Sequence, residues 1–240
     1  TFESDSSLQT IGRHAFYSNN ILSLKIPNSV ITISDEAFRF NYNMHTLSFE
    51  SPSSLQTIGY VAFQFSDIMS LEIPNSVNNI WNYAFGGCDI ETLKFQANSS
   101  LEIIRPGTFR NNKIGPSLEI PNSVTSISHF AFTTNDIESL TFESPSSLQT
   151  IGYYAFRDRN NIDSVNLPMN YNTASGPSTN NSFENDVIIN YELFVPNHVT
   201  EIYDNSFEYK NIDILTFESD SSLQTIGDWA FAYNSINALE

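Results

Sequence analysis

Four histidines, one cysteine and 27 carboxylates are the residues of this chain that could ligate a metal, move a proton or attack a carbonyl. His14, His45, His129 and His198 are far apart, and no H-E-x-x-H pair places two of them on one helix face. Cys88 has no histidine or asparagine partner in any nucleophile motif. The G-x-S-x-G, G-x-x-x-x-G-K-[ST] and G-x-G-x-x-G patterns are absent, so acyl transfer and phosphate cradling lack their sequence elements. The carboxylates are dispersed and form no D-x-[DN]-x-[DN]-G loop. They are expected to form a solvated face, with adventitious Ca²⁺ binding as the alternative. Arg157, Asp158 and Arg159 are the one local cluster of both signs, read as a loop salt bridge or an anion site. No catalytic residue, metal or cofactor is expected, and the chain reads as not an enzyme.

Charge narrows the partners. The 27 acidic residues face only 10 basic ones, a net charge of −17, and such a chain repels nucleic-acid phosphates and anionic membrane surfaces. No apolar run reaches the ~18 residues of a membrane span, so neither nucleic acid nor membrane insertion is expected. One cysteine excludes an internal disulfide framework and a Cys-based zinc site. At 40% hydrophobic residues a sizeable core is affordable. The sequence begins at Thr1, carries no signal peptide, and has both ends inside a repeated pattern. It is read as one domain, 1–240, from a longer chain.

The repeat decides the fold. SSLQTIG recurs at Ser6–Gly12, Ser53–Gly59, Ser146–Gly152 and Ser221–Gly227, and IPNSV at Ile26–Val30, Ile73–Val77 and Ile120–Val124. Pro27, Pro74, Pro121 and Pro168 are spaced by 47 residues, a double period of two alternating units. A phenylalanine anchors the single period: Phe16, Phe38, Phe63, Phe85, Phe109, Phe132, Phe156, Phe183, Phe207 and Phe231, in steps of 22 to 27. Ile stands five residues earlier, from Ile11 to Ile226, and Leu or Val eight earlier, except in the Phe183 unit.

An I-x-x-L-x-[IF] triplet follows the anchor in several units, as in Ile68, Leu71 and Ile73. Its second half alternates with period two and predicts a short strand. One such strand per unit makes no core alone, but identical strands stacked in parallel do, about 4.8 Å apart. Residues between the rungs should face outward: Ser23 and Lys25, Ser70 and Glu72, Thr92 and Lys94 in the early units. Near the C-terminus this row becomes Glu192 and Phe194, then Ile214 and Thr216. Phe194 and Ile214 are the large apolar members. They are read either as a partner-binding site together with Glu192 and Thr216, or as a buried contact with a C-terminal neighbour unit or a register slip.

The segment IleLeuSerLeuLysIleProAsnSerVal (Ile21–Val30), followed by Ile33, Ala37 and Phe38, resembles the leucine-rich repeats of the BspA type. The resemblance runs through the whole chain. It implies a leucine-rich repeat solenoid of about ten units. Short parallel strands would line the concave face, with short helical or 3-10 turns on the convex face. It also implies an inward slot three residues after the anchor, occupied by Cys88 once and by Asn19, Asn41, Asn112, Asn135 and Asn234 elsewhere. A departure lies at 169–182, polar and turn-rich, read as a bulging loop in a degenerate unit or as a recognition loop. Tyr17, Phe40, Phe65, Tyr209 and Tyr233 follow the anchors and are read as half-buried ladder edges, with a contact surface as the alternative. Asn98 and Asn180 match the N-glycosylation sequon, which matters only for a secreted eukaryotic chain.

Three functions remain. The resemblance implies an adhesin-like binding module, extracellular or on the cell surface, that engages a protein or glycan. The second is a structural segment that self-associates through its open repeat ends. The third is a recognition domain attached to an enzyme outside these residues.

Overall fold

A computed structural model describes residues 2, 6–152, 154–158, 160, 162, 164–165, 191–195, 201–202 and 212–239. The chain coils into a parallel β-solenoid with two ladders. The long-strand ladder comprises β2 (Ser23–Ile26), β4 (Thr46–Phe49), β6 (Ser70–Ile73), β8 (Thr92–Phe95), β10 (Ser117–Ile120), β12 (Ser139–Phe142) and β14 (Ser164–Val165). The short-strand ladder comprises β1 (Thr10–Ile11), β3 (Thr32–Ile33), β5 (Thr57–Ile58), β7 (Asn79–Ile80), β9 (Ile103–Ile104), β11 (Ser126–Ile127) and β13 (Thr150–Ile151). In the C-terminal part β15 (Tyr191–Val195) pairs with β17 (Ile212–Phe217), which pairs with β19 (Ala238–Leu239). There β16 (Glu201–Ile202) pairs with β18 (Thr225–Ile226).

The alternation in sequence becomes alternation in burial. Leu71 and Ile73 are buried while Ser70 and Glu72 are exposed, and the same pattern holds in β2 and β10. This fixes the register, because a one-residue slip would turn every apolar rung to solvent. Ile33, Ile58, Ile80, Ile104 and Ile127 stack as buried rungs of the short ladder. Phe38, Phe63, Phe85, Phe109, Phe132 and Phe156 form a column of stacked rings whose centroids are 5.1 to 5.8 Å apart. Burying each ring contributes about 1.5–3 kcal/mol before chain entropy is counted.

Two sequence expectations are corrected. No helix occurs among the described residues. Residues two before and two after an anchor adopt positive φ, as in His14 and Ser18, Glu36 and Phe40, Tyr83 and Gly87, and Gly107 and Asn111. A left-handed residue every fourth position cannot propagate a right-handed helix. Amide groups there instead alternate between a tight turn and the next coil. Tyr17 donates to the His14 carbonyl, whereas Phe16 donates to the Ala37 carbonyl.

The turn count is about eight rather than ten. Counted from strand to strand, there are six turns from β2 to β14, whose long strands hydrogen-bond in the groups β2–β4, β6–β8 and β10–β12–β14, and two from β15 to β19. The Phe183 unit and the 169–182 segment lie outside the described residues.

The 47-residue double period has a physical cause. The Asn28 amide donates to the Glu50 carboxylate at 3.2 Å, that of Asn75 to the Gln96 side-chain oxygen at 3.3 Å, and that of Asn122 to Glu143 at 3.1 Å. In the other direction Ser29, Ser76 and Ser123 donate their hydroxyls to the carbonyls of Leu8, Leu55 and Leu101. Each IPNS turn is therefore capped by the unit after it and caps the unit before it. Two unlike sequences are needed to supply the donor and the acceptor.

Candidate binding surfaces

The inward slot holds the inner coils together, whereas Asn19 in the first coil is exposed and, among the described residues, has no coil packed before it and bonds only the Tyr17 carbonyl. The Asn112 amide nitrogen donates to the carbonyls of Phe109 and, one coil earlier, Phe85, both at 2.9 Å. Its carboxamide oxygen accepts from the amides of Cys88 and Ile90 at 3.0 Å. Asn135 and Asn160 repeat the arrangement on Phe109, Phe132 and Phe156. Buried polar groups are tolerated only when so paired. Sequence reading missed Ser66 and Asn160 in this slot. Ser66 donates to the Phe38 carbonyl at 3.0 Å, and Asn160 stands one residue later than the spacing predicts. Cys88 is fully buried, and burial pushes its thiol up to about 12. It belongs to the scaffold.

The outward row of the long ladder is polar and in water. Ser23, Lys25, Thr46, Ser48, Ser70, Glu72, Thr92, Lys94, Ser117, Glu119 and Thr141 are all exposed. Glu50 reaches Lys25 at 2.8 Å, and the lysine together with the Asn28 amide holds the Glu50 carboxyl below its ordinary range.

The C-terminal candidates are placed only in part. Register sets Glu192 opposite Ile214 and Phe194 opposite Thr216, so Phe194 and Ile214 lie diagonally across the strand pair. The side chains of Glu192 and Phe194 lie outside the described residues. Ile214 and Thr216 are half-buried, unlike their exposed counterparts in β6 and β8. The Thr216 hydroxyl oxygen is shielded and has no hydrogen-bond partner among the described residues.

Of the chemical candidates, Arg157 pairs with Asp158 at 3.2 Å and lies 4.2 Å over the Tyr154 ring, which makes it a loop salt bridge; Arg159 lies outside the described residues. His14 contacts Glu36 at 3.1 Å, and His45 and His129 are exposed and apart from it; His198 lies outside the described residues. No group of three metal-ligating side chains occurs among the described residues. Asn98 is exposed in a bend with φ 59°, and Asn180 lies outside the described residues.

The aromatics after the anchors form an outer ladder. Tyr17 meets Phe40 edge-on at 5.5 Å, and Phe40 stacks on Phe65 at 5.5 Å. Phe65 in turn covers Gly87, where an added Cβ would approach its ring to 2.8 Å. Arg39 lies 4.5 Å over Phe40 and pairs with Glu36 at 3.0 Å. Tyr209 lies outside the described residues, and Tyr233 is exposed.

A coil of short parallel strands, an anchor column of phenylalanine and an inward asparagine slot define a leucine-rich repeat solenoid. The profile of the BspA type leucine rich repeat region matches in 6 copies, over residues 1–91, 79–182 and 176–240, and the chain belongs to that family. Among solved structures it is similar to the pneumococcal vaccine antigen PcpA, with 21% identity and a TM-score of 0.56, covering 97% of this chain and 55% of that one. It is also similar to a leucine-rich repeat protein from Bacteroides ovatus, with 19% identity and a TM-score of 0.54, covering 97% of this chain and 69% of that one. The chain thus spans little more than half of the first of these structures. No curated protein matches.

Proposed function

We propose that this chain is a non-enzymatic binding module of a secreted or cell-surface protein that engages a protein or glycan through its repeat surface. One observation carries the reading: the repeat turns its apolar rungs inward and presents a regular outward array along consecutive coils, as in β6, β8 and β10. A rigid array of this kind offers a wide binding surface. The family membership and the likeness to a vaccine antigen support a surface location. Glu192, Phe194, Ile214 and Thr216 form a candidate contact on the same row in the C-terminal part.

The test is saturable binding of the purified chain to arrays of immobilised proteins and glycans. Binding to at least one class, without turnover of the bound molecule, is expected. A chain that binds neither, or that consumes what it binds, overturns the proposal. For the C-terminal contact, Ile214→Ser should weaken binding and leave the melting temperature unchanged. Loss of the fold in that variant would assign Ile214 to the core instead.

A further inference from the structure

The segment between the phenylalanine column and each long strand changes character along the solenoid. In the first three coils it carries Tyr17 and Leu22, then Phe40 and Tyr42, then Phe65 and Met69. Tyr17, Leu22, Tyr42, Phe65 and Met69 are exposed by 39, 63, 55, 37 and 48%. In the next three coils the corresponding stretches carry Gly87, Asp89 and Glu91; Asn111, Lys113 and Pro116; and Thr134, Asp136 and Glu138. The aromatic residues among those of the first three coils are contiguous. Phe40 bridges Tyr17, Tyr42 and Phe65 at ring-centroid distances of 5.5 to 5.7 Å. Leu22 and Met69 hold the equivalent places immediately before β2 and β6, with exposed His45 between them on the carbonyl of Leu22. A clustered aromatic and methionine surface of this kind is enriched at the centres of protein interfaces.

One edge of this surface, on the side of the fourth coil, carries carboxylates, whereas Arg39 lies over Phe40 on the side of the first two coils. Asp67 is half-buried beside Phe65, and its carboxylate has no ion pair or hydrogen bond among the described residues. Glu91 is exposed, and its amide bonds the Met69 carbonyl at 2.9 Å. Asp89, whose charge acts on Asp67, is paired with Lys113 at 3.1 Å. Burial first, then the neighbouring Asp89, raises the Asp67 carboxyl above its ordinary range, against the opposing charges of His45 and Lys113. A cation placed there would relieve that cost. The chain's net charge of −17 adds long-range attraction for a basic partner.

We infer that the lateral face formed by Tyr17, Leu22, Phe40, Tyr42, Phe65 and Met69 binds a protein segment whose apolar side chains are flanked by lysine or arginine, with Asp67 and Glu91 receiving the cations. This rests on the reading of the chain as a binding module and names its partner class and surface. Apolar side chains would seat on the Tyr42–Phe65–Met69 surface while the basic groups reach the carboxylate border.

Fluorescein-labelled 12-residue peptides test it by anisotropy: one of lysine and leucine, one of glutamate and leucine, and one of lysine and serine. The lysine–leucine peptide is expected to bind at least about tenfold more tightly than either control. Tyr42→Ser with Met69→Ser should weaken it at least about tenfold, with the melting temperature kept because both side chains are in solvent. Asp67→Asn with Glu91→Gln should weaken it and flatten its salt dependence. Equal binding of all three peptides, or full affinity in the Tyr42/Met69 variant, overturns the proposal. If the protein and glycan arrays bind the chain while the lysine–leucine peptide does not, this surface is wrong and the binding-module reading stands. If the arrays also stay empty, both fall.

Discussion

The thiol of Cys88 lies 2.9 Å from the carbonyl oxygen of Phe63, one coil earlier, and the Cys88 amide donates to Asn112, one coil later, at 3.0 Å. A sulfur thus takes the place that an asparagine nitrogen fills in other coils, and the coil spacing is kept. Reactivity follows from this position, since only the thiolate attacks a thiol reagent. With the thiol fully buried and pushed up to about 12, native protein should resist iodoacetamide at pH 8 and react in urea. Mass spectrometry reads the outcome, and rapid native labelling would place Cys88 in water.

The Asn112 side chain joins two coils through four bonds, so its removal should cost more than that of any exposed residue. Asn112→Ala leaves the carbonyls of Phe85 and Phe109 and the amides of Cys88 and Ile90 without their side-chain partner. At about 1–3 kcal/mol for each buried group left unsatisfied, a loss of at least about 3 kcal/mol is expected in urea denaturation. A loss under about 1 kcal/mol would show that water replaces the side chain.

Phe132→Ala should cost about 3–5 kcal/mol, because its ring stacks between Phe109 and Phe156 and the coils cannot collapse independently. Coupling in a solenoid runs between neighbours, so hydrogen exchange should accelerate first around residues 109–156. Exchange that rises uniformly along the chain would contradict nearest-neighbour coupling.

Gly107 has φ +64°, and an added Cβ would fall on the Tyr83 ring of the preceding coil. Gly107→Ala therefore meets both backbone strain and a steric clash, with an expected cost of about 2 kcal/mol or more. Adding Tyr83→Ser should restore the steric part and leave the backbone part. A double-mutant cycle with no coupling would show that the ring moves aside freely.

Glu36 links the first two coils. Burial opposes its ionisation, but hydrogen bonds from Arg39, His14 and Arg13, with the charge of His14, hold its carboxyl below the ordinary carboxylate range. A carboxyl lowered in the folded state contributes stability above its unfolded value and loses it as pH falls through the folded one. Arg39→Ala should therefore reduce stability at pH 7 and make little difference at pH 2, as read by urea melts. An equal loss at both pH values would assign the effect to packing of Arg39 on Phe40.

The sequence by itself determined the solenoid. Leu71, Ile73, Ile80 and Phe85 repeat at fixed spacing, and such a pattern buries its apolar residues only when identical coils stack. Their burial and the exposure of Ser70 and Glu72 follow from period-two alternation alone. The inward slot at Cys88 was legible by its phase, through resemblance to the family. The turns around each anchor were not, because a local propensity for helix gives no sign of a φ that is set by amides bonding the next coil, as Phe16 does to Ala37. The 47-residue period was visible at Pro27, Pro74 and Pro121, but its cause was not. The caps from Glu50 and Glu143 join residues 22 and 21 positions apart and exist only once coils are in register. Of the lateral surface, Tyr17, Phe40 and Phe65 were legible by their place just after the anchors, whereas Tyr42 and Met69 were not. Tyr42 and Met69 occupy different places in their units, four and six residues after the anchor, so no repeating position marks them.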